Sequence, residues 1–445
     1  MTLPFADDAV PPRPALPAPG NQFTPKLVTM VREGYRLQHF KADAMAGLTV
    51  AIVALPLSMA LAIASGVTPD RGLYAAIVGG FIVSALGGSR FQIGGPAGAF
   101  IVLVAACVER HGVDGMLLAT VMAGLMLTVI GVMRLGTYIK YIPYPVTIGF
   151  TAGIAVIIFA SQIHDLLGLT LQGKEPGELL PKLQALGSAI GTISLAAVAI
   201  AALTFSIILG VKKLRPMWPG MLIAIVVASL LAFFLNLPLE TVGTRFGDIP
   251  RTLPMPALPA LSLDKIYAVL PDALAFALLG AIESLLSAVV ADNMAGRQHR
   301  SNIELVAQGL ANVGSALFGG IIVTGTIART ATNVRSGAHG PISGMLHSVF
   351  LLLFMLLAAP LARYIPLAAL AALLAGVAWN MVEKQEIAAL LRGNWSGLLM
   401  LMATFLLTIF YGLTEGILAG CTVGLISWVL ARRATVRAGE RQRPQ

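Results

Sequence analysis

Charge is what this chain lacks most. Asp, Glu, Lys and Arg make up 11% of its 445 residues, less than half the roughly 25% of a soluble globular domain. That scarcity excludes an ordinary water-soluble enzyme or binding module. Cysteine is nearly absent: Cys107 and Cys421 both lie in apolar stretches, at a spacing that suits neither a disulfide framework nor a metal site. No nucleophile motif and no His/Glu metal pair occurs, so an intramembrane enzyme has no catalytic constellation to draw on. His164 and His347 read as loop or core residues. Acidic residues number 21 against 30 basic ones, but the basic residues are dispersed among short connections rather than gathered into a patch, so no nucleic-acid partner is expected. No cleavable signal-peptide pattern is visible.

What is present in abundance is apolar sequence, 57% of the chain. Charge-free runs over 44–69, 115–133, 183–211, 216–239 and 393–414 each reach or exceed the ~20 residues that cross a bilayer. The chain therefore reads as an all-α polytopic membrane protein embedded in a lipid bilayer. With both termini cytoplasmic and fourteen crossings, 21 Lys and Arg fall on the side of the termini and 8 on the other. That asymmetry has the sense of the positive-inside rule and predicts a multi-pass protein of the bacterial inner (plasma) membrane. Residues 1–37 read as a disordered or amphipathic cytoplasmic segment and 434–445 as a basic cytoplasmic tail.

Two segments are too short to span. The run 96–108 has 13 residues and 328–338 has 11, about 20 and 17 Å as helices. Each follows a Gly-rich break: Gln92-Ile93-Gly94-Gly95 in one case, Val323-Thr324-Gly325-Thr326 in the other. Irregular backbone at membrane depth is tolerated only where protein or a water-filled cavity satisfies it. The halves also echo each other, with Ser84-Ala85-Leu86-Gly87-Gly88 before the first break and Ser315-Ala316-Leu317-Phe318-Gly319-Gly320 before the second. Interrupted segments at matching places in two halves are the mark of an inverted-repeat transporter with its substrate near the midplane.

Inside the second break sits Arg329, in Thr324-Gly325-Thr326-Ile327-Ala328-Arg329-Thr330. A charge at membrane depth costs about 2.5–3.5 kcal/mol on insertion scales. A broken helix whose N-terminus carries an Arg favours an anion through its dipole and free N–H groups; pairing with an internal carboxylate is the alternative. The expected substrate contacts are Arg329, Ala328 and Thr330, facing the Gly94, Gly95, Pro96 and Ala97 turn, where missing side chains let an anion approach the backbone. Gln92 offers a donor or else satisfies the broken backbone. Glu283 is the second intramembrane charge, with Ser287 one turn on and on the same face. A lone buried carboxyl can carry a proton, or pair with Arg329. Pro56 frees a carbonyl inside the first span, which plain kinking explains equally.

These residues carry a family resemblance. Asp43-Ala44-Met45-Ala46-Gly47-Leu48-Thr49-Val50, Leu55-Pro56-Leu57-Ser58-Met59-Ala60, Gly72-Leu73-Tyr74, Gly94-Gly95-Pro96-Ala97, Asn302-Ile303-Glu304-Leu305, Gly309-Leu310-Ala311-Asn312 and Thr326-Ile327-Ala328-Arg329-Thr330, in that order, resemble the sulfate permease (SulP) family of anion transporters from about residue 38 to 433. The resemblance implies a seven-plus-seven inverted repeat, over 38–236 and 268–433 with a connection at 237–267, and short β-strands leading into half-helices three and ten. It implies a core of roughly 42–134 and 268–362 facing a gate of roughly 141–236 and 364–432, and a homodimer. It also implies that the region around Pro56 borders the site, with Ser58 and Met59 as candidate lining residues. In relatives that use sodium, an Asp and a Thr stand where Glu283 and Ser287 stand here, so a proton is expected as the coupling ion rather than sodium, with no other cofactor and no metal. Leu57 and Leu61 replace a Gln and a Tyr common in the family, which predicts a more apolar pocket. The family's usual C-terminal STAS domain is expected to be absent. The substrate is expected to be a small inorganic or carboxylate anion: a dicarboxylate such as fumarate, or bicarbonate or sulfate, moved by proton symport. A passive channel, an exchanger and a nucleobase–proton symporter of the same architecture are the competing readings; the last would put carboxylates where Arg329 stands.

Overall fold

The computed structural model describes residues 22–427, apart from 138–142, 172, 174, 175, 177, 178, 216, 217, 393, 394, 413 and 414. The tail at 434–445 and the first 21 residues of the N-terminal segment lie outside the described residues. In chain order the helices of the first half are α1 (Lys26–Arg32), α2 (Leu37–Ala64), α3 (Pro69–Tyr74), α4 (Gly80–Leu86), α5 (Ile101–Val132), α6 (Tyr144–Leu167), α7 (Leu179–Ser188), α8 (Leu195–Leu214) and α9 (Gly220–Phe234). After α10 (Val242–Phe246) come α11 (Leu263–Ala295), α12 (Ser301–Leu317), α13 (Ile327–Arg335), α14 (Ile342–Ala362), α15 (Leu367–Met381), α16 (Lys384–Arg392) and α17 (Trp395–Phe410), then α18 (Glu415–Ser427). Two strands, β1 (Gly94–Gly95) and β2 (Thr324–Gly325), precede α5 and α13.

Seven of the described helices are long and apolar enough to cross a membrane alone. The remaining spans are built from pieces. α3 and α4 join through a single π-helical stretch, Ala75–Gly79. α5 is two helices that meet in a kink at Gly112, whose φ of 67° and ψ of −178° are open to glycine and strained for other residues. The break divides α5 into a short half-helix and a full span, so the fourteen segments form two repeats of seven in inverted relation. Local chemistry sets the ends: Ser194 and Ser262 accept from the N–H groups of Ala197 and Lys265 at 3.3 and 3.2 Å, and Gly168 and Gly296 close α6 and α11 in the left-handed conformation.

Packing falls into two groups. α2, α4, α5, α11, α12, α13 and α14 pack on one another, and α6, α8, α9, α15 and α17 make the second group. Buried positions run along the first group from Ala51 to Ala62 on α2 and from Phe276 to Ala291 on α11. The exposed large apolar residues, such as Leu195, Leu209, Leu230 and Leu357, are the surface that faces hydrocarbon.

The N-terminal segment, expected as a disordered or amphipathic extension, is ordered from its first described residue. It forms a strap across one end of the first group. Gln22 accepts from Asn302 Nδ2 at 2.9 Å, Arg300 Nη1 donates to Thr24 O and Thr29 Oγ1 at 2.5 and 2.9 Å, and Glu33 pairs with Arg90. Met30 is buried against Gly340, and Tyr35 donates to Asp43 at 2.7 Å. The strap is held because it satisfies Arg90, Arg300 and Asn302, all of which are buried, and a buried polar group without a partner is costly. Burial, then the neighbouring Arg300 and Arg90 charges, bring the Lys26 ammonium down to about 8.

Candidate functional site

The two breaks meet. β1 and β2 pair antiparallel, Gly94 opposite Gly325 and Gly95 opposite Thr324. Each strand runs directly into a half-helix, so the antiparallel ladder brings both helix N-termini to one place and sends the helices away in opposite directions. This answers the question of where the broken backbone finds its hydrogen bonds. Thr326 N donates to Ile93 O at 3.0 Å and Ile93 N donates to Thr330 Oγ1 at 3.1 Å. Asn333 Nδ2 donates to Phe91 O at 2.9 Å.

The ladder is held from behind by α11 and α12. Asn312 grips Val323 both ways, its Nδ2 donating to the carbonyl at 2.8 Å and its Oδ1 accepting from the N–H at 2.7 Å. Ser284 Oγ lies 2.7 Å from Thr324 Oγ1 and accepts from Gly325 N at 3.3 Å. Further along α12, Glu304 accepts from the N–H groups of Gly88 and Ser89 at 2.8 and 3.0 Å and from Gln308 at 3.0 Å. Glu304, Gln308 and Asn312 thus form a polar stripe on one face of an otherwise apolar span, with a repeat of four residues. Ser284, Asn312, Asn333 and Glu304 had no assigned task in the sequence reading. The four-residue spacing of Glu304, Gln308 and Asn312 is the signal that could have found part of this set.

Arg329 crosses the gap between the ladder and α2. Its side chain is 2% exposed, and Nη2 donates to Ser58 Oγ at 3.1 Å while Ser58 donates to Ala54 O at 2.7 Å. Among the described residues Nε and Nη1 have no hydrogen-bond partner and no carboxylate lies within ion-pair distance of the guanidinium. The guanidinium packs against Gly95: a Cβ there would fall 1.9 Å from Nη1. The glycine serves the arginine itself, rather than the direct approach of an anion to the turn that the sequence suggested. Gly94 likewise accommodates a neighbour, since a Cβ there would meet Val83 at 2.8 Å.

The remaining expected residues divide into two sets. Ala97 is half-buried and Ala328 is exposed, so the backbone of both half-helix ends is approachable there. By geometry the first N–H groups of α13, at Ile327, Ala328 and Arg329, have no partner inside their helix, and among the described residues no other element takes them. Pro96 is buried and has no N–H. Thr330 Oγ1 and Gln92 Nε2 are committed to the scaffold, while Gln92 Oε1 has no hydrogen-bond partner among the described residues. Thr330 Oγ1 accepts from Ile93 N and from Ser287 Oγ, the latter at 3.3 Å, and Gln92 Nε2 donates to Ser284 O at 3.1 Å. Gln92 lies against Gly325, where a Cβ would be 1.5 Å from Nε2. Ser287 ties α11 to α13 and is fully buried. Glu283, one residue before Ser284, is 9% exposed and makes no ion pair with Arg329, so a fixed Glu283–Arg329 pair is not what satisfies either charge here. Leu57 and Leu61 are buried on α2, one residue before and three after Ser58. Among the described residues no group of three or more His, Cys, Asp or Glu side chains is arranged to hold a metal.

The second group of helices closes over the half-helix end. A methyl group at Gly98 would sit 3.3 Å from Met381 Sδ and 3.6 Å from Ile158 Cδ1. On the side of Gly66 and Gly168 a cavity of about 1390 Å³ opens between the two groups. It is lined by Ile101 and Val102, at the start of α5, and by Lys182, Glu240 and the Arg245–Asp165 pair at 3.0 Å. Arg329 does not line it.

The sulfate permease family description matches residues 40–404. The chain belongs to the sulfate permease family. It is 44% identical to the Bacillus subtilis protein YvdB, named a candidate sulfate transporter, over 89% of this chain and 75% of that one. It is 31% identical to a bicarbonate transporter, BicA, of Picosynechococcus sp., over 87% of this chain and 69% of the relative. The solved transmembrane domain of a cyanobacterium bicarbonate transporter BicA superposes with a TM-score of 0.77 at 31% identity, covering 87% of this chain and 98% of that domain. The protein is a multi-pass membrane transporter of anions, and the crossing of its two half-helices is the feature on which that fold turns.

Proposed function

We propose that this transporter is secondary active. It moves a small anion by proton symport: a dicarboxylate such as fumarate, or the bicarbonate and sulfate named for its relatives. The observation that carries the reading is Arg329, a buried guanidinium whose hydrogen-bonded side-chain partner is the neutral Ser58 hydroxyl. A buried charge is stable when it is paired and hydrogen-bonded, and an anion lying between Arg329 and the free N–H groups of Ile327 and Ala328 supplies both. The approachable backbone at Ala97 and Ala328 supports placing it there, and the apolar flank of Leu57 and Leu61 suits the carbon skeleton of a carboxylate. Thr330, Gly94, Gly95, Pro96 and Gln92 hold the geometry from behind.

Glu283 is the proton carrier in this reading. It is an intramembrane carboxyl with no cationic partner among the described residues, on the helix that also holds β2 through Ser284. A passive channel or an exchanger shares Arg329 but leaves Glu283 without a task. Movement is elevator-like: the ladder, Arg329 and both half-helix ends belong to the group of helices around α2, α5, α11 and α12, and travel together past the group around α6 and α15. A homodimer in the bacterial inner membrane, with cytoplasmic termini, completes the reading; the distribution of basic residues supports the orientation. The test is Glu283→Gln in proteoliposomes. Uptake by the variant is expected to lose its acceleration by an inward proton gradient while anion exchange persists. An unchanged response to the gradient places the proton elsewhere.

A further inference from the structure

Away from the anion site, a crevice of about 440 Å³ separates the two helix groups on the lipid-facing side. One wall is α2, α3 and α14, the other α9. Its floor is deeply buried, formed by Met59, Ile225, Met355 and Ala359, while its rim residues Phe233 and Tyr364 are exposed. Apart from the Tyr364 hydroxyl at the rim, the polar side chain that lines it is Ser229, whose hydroxyl is spent on Ile225 O at 2.8 Å. Water needs two to four polar partners to occupy such a space, and this one does not supply them. Left unfilled, the lining residues forfeit their dispersion contacts on one side. The surface that continues from the rim is the exposed apolar face of α9 and α14, which meets hydrocarbon.

The dimensions select the occupant. Along α14 the lining runs from Phe354 to Ala362, about 12 Å of helix rise, and continues to Tyr364 just past the helix end, so it covers close to half of a hydrocarbon core about 30 Å thick. The crevice is one leaflet deep. At its outer end Phe233 and Tyr364 meet edge-to-face at 5.2 Å, and Arg363 lies 5.7 Å over the Tyr364 ring. This aromatic and basic pair is typical of the headgroup level. Arg363 contacts Asp248 at 3.3 Å, but both are exposed, and such a pair contributes little.

We propose that this crevice is a binding site for one acyl chain of a phospholipid from the adjoining leaflet, with the headgroup phosphate at Arg363. The chain lies between walls that belong to opposite helix groups, and its tip reaches Met59, the neighbour of the Ser58 that holds Arg329. Sliding of one group past the other has to expel or carry it. The proposal does not depend on which anion is transported.

The test is photo-crosslinking of the purified full chain in bilayers containing a phospholipid with a diazirine at the end of one acyl chain, read by peptide mass spectrometry. Labelling is expected at Met59, Ile225 and Met355, several-fold above that at the plain lipid-facing surface around Leu195 and Leu209. Ala359→Trp is expected to abolish floor labelling and leave surface labelling intact; Ser229→Leu is a milder filling change with the same expected direction. A diazirine fatty acid without phosphate is expected to label the floor more weakly, and Arg363→Gln to bring the phospholipid down to that level. Floor labelling no stronger than surface labelling in the parent protein overturns the site. So does floor labelling that survives both filling variants, or crosslinks from the floor to a second copy of the chain.

Discussion

Replacing Arg329 with alanine is the perturbation with the largest expected consequence for transport and a small one for folding. Two unit charges about 4 Å apart interact by about 4 kcal/mol at an effective dielectric of about 20, close to three decades of affinity at about 1.4 kcal/mol per decade. What remains after the change is the two half-helix ends, each equivalent to about half a charge, and the Ser58 hydroxyl. They do not replace the guanidinium. Folding is expected to tolerate the loss, because among the described residues the guanidinium has one hydrogen-bond partner and it carries an insertion cost of about 2.5–3.5 kcal/mol, which offsets the packing lost against Gly95. Binding of a labelled anion to the purified variant should therefore weaken by about a thousandfold, and uptake should fall to background. Detergent gel filtration and the thermal midpoint should match the parent. Arg329→Lys keeps a charge but not the fork that spans Gly95 and Ser58, and should fall between the two. An alanine variant that is well folded and binds within about tenfold of the parent, roughly 1.4 kcal/mol, would refute the role given to the guanidinium.

Gly95→Ala puts a methyl group 1.9 Å from Nη1 of Arg329 and should displace the guanidinium from Ser58, weakening anion binding in the parent but adding nothing in the Arg329→Ala background; independent losses in a double-mutant cycle contradict this. Asn312→Ala strips the partners from both backbone groups of Val323, and calorimetry or dye-monitored melting should show destabilisation of about 1–3 kcal/mol, whereas an unchanged midpoint means that the ladder is held by other contacts. For the strap the sign follows from Lys26: docked, it titrates at about 8, below its ordinary 10.5, so between those values the free strap binds more protons than the docked one and docking strengthens as pH rises. A spin label at position 28 should become less mobile from pH 8 to 10.5, and Lys26→Gln should flatten the response; mobility rising with pH reverses the reading.

The architecture was legible in the sequence because its largest signals are compositional. Apolar runs count the spans, the basic residues distribute asymmetrically between them, and glycine clusters at 94–95 and 319–325 mark where helices cannot continue. Arg329 stood out because a charge in such surroundings is rare. Less legible was what each residue does once the two breaks meet. Gln92 and Thr330 look like substrate ligands in sequence, yet Gln92 Nε2 is spent on Ser284 and Thr330 Oγ1 on Ile93, pairings across 192 and 237 residues that local pattern cannot reveal. Gly95 looked like an opening for an anion and is a seat for the guanidinium. The ordered strap was hidden because its partners, Arg90, Arg300 and Asn302, become buried only when distant helices pack.

The most direct measurement is uptake of labelled fumarate, bicarbonate and sulfate into proteoliposomes, with and without an inward proton gradient and with the membrane potential clamped. The predicted result is transient accumulation of at least one of these anions above its equilibrium level under the gradient, collapsing when the gradient is dissipated. Downhill equilibration that ignores the gradient, or uphill uptake of a neutral nucleobase with no anion movement, contradicts proton-driven anion transport.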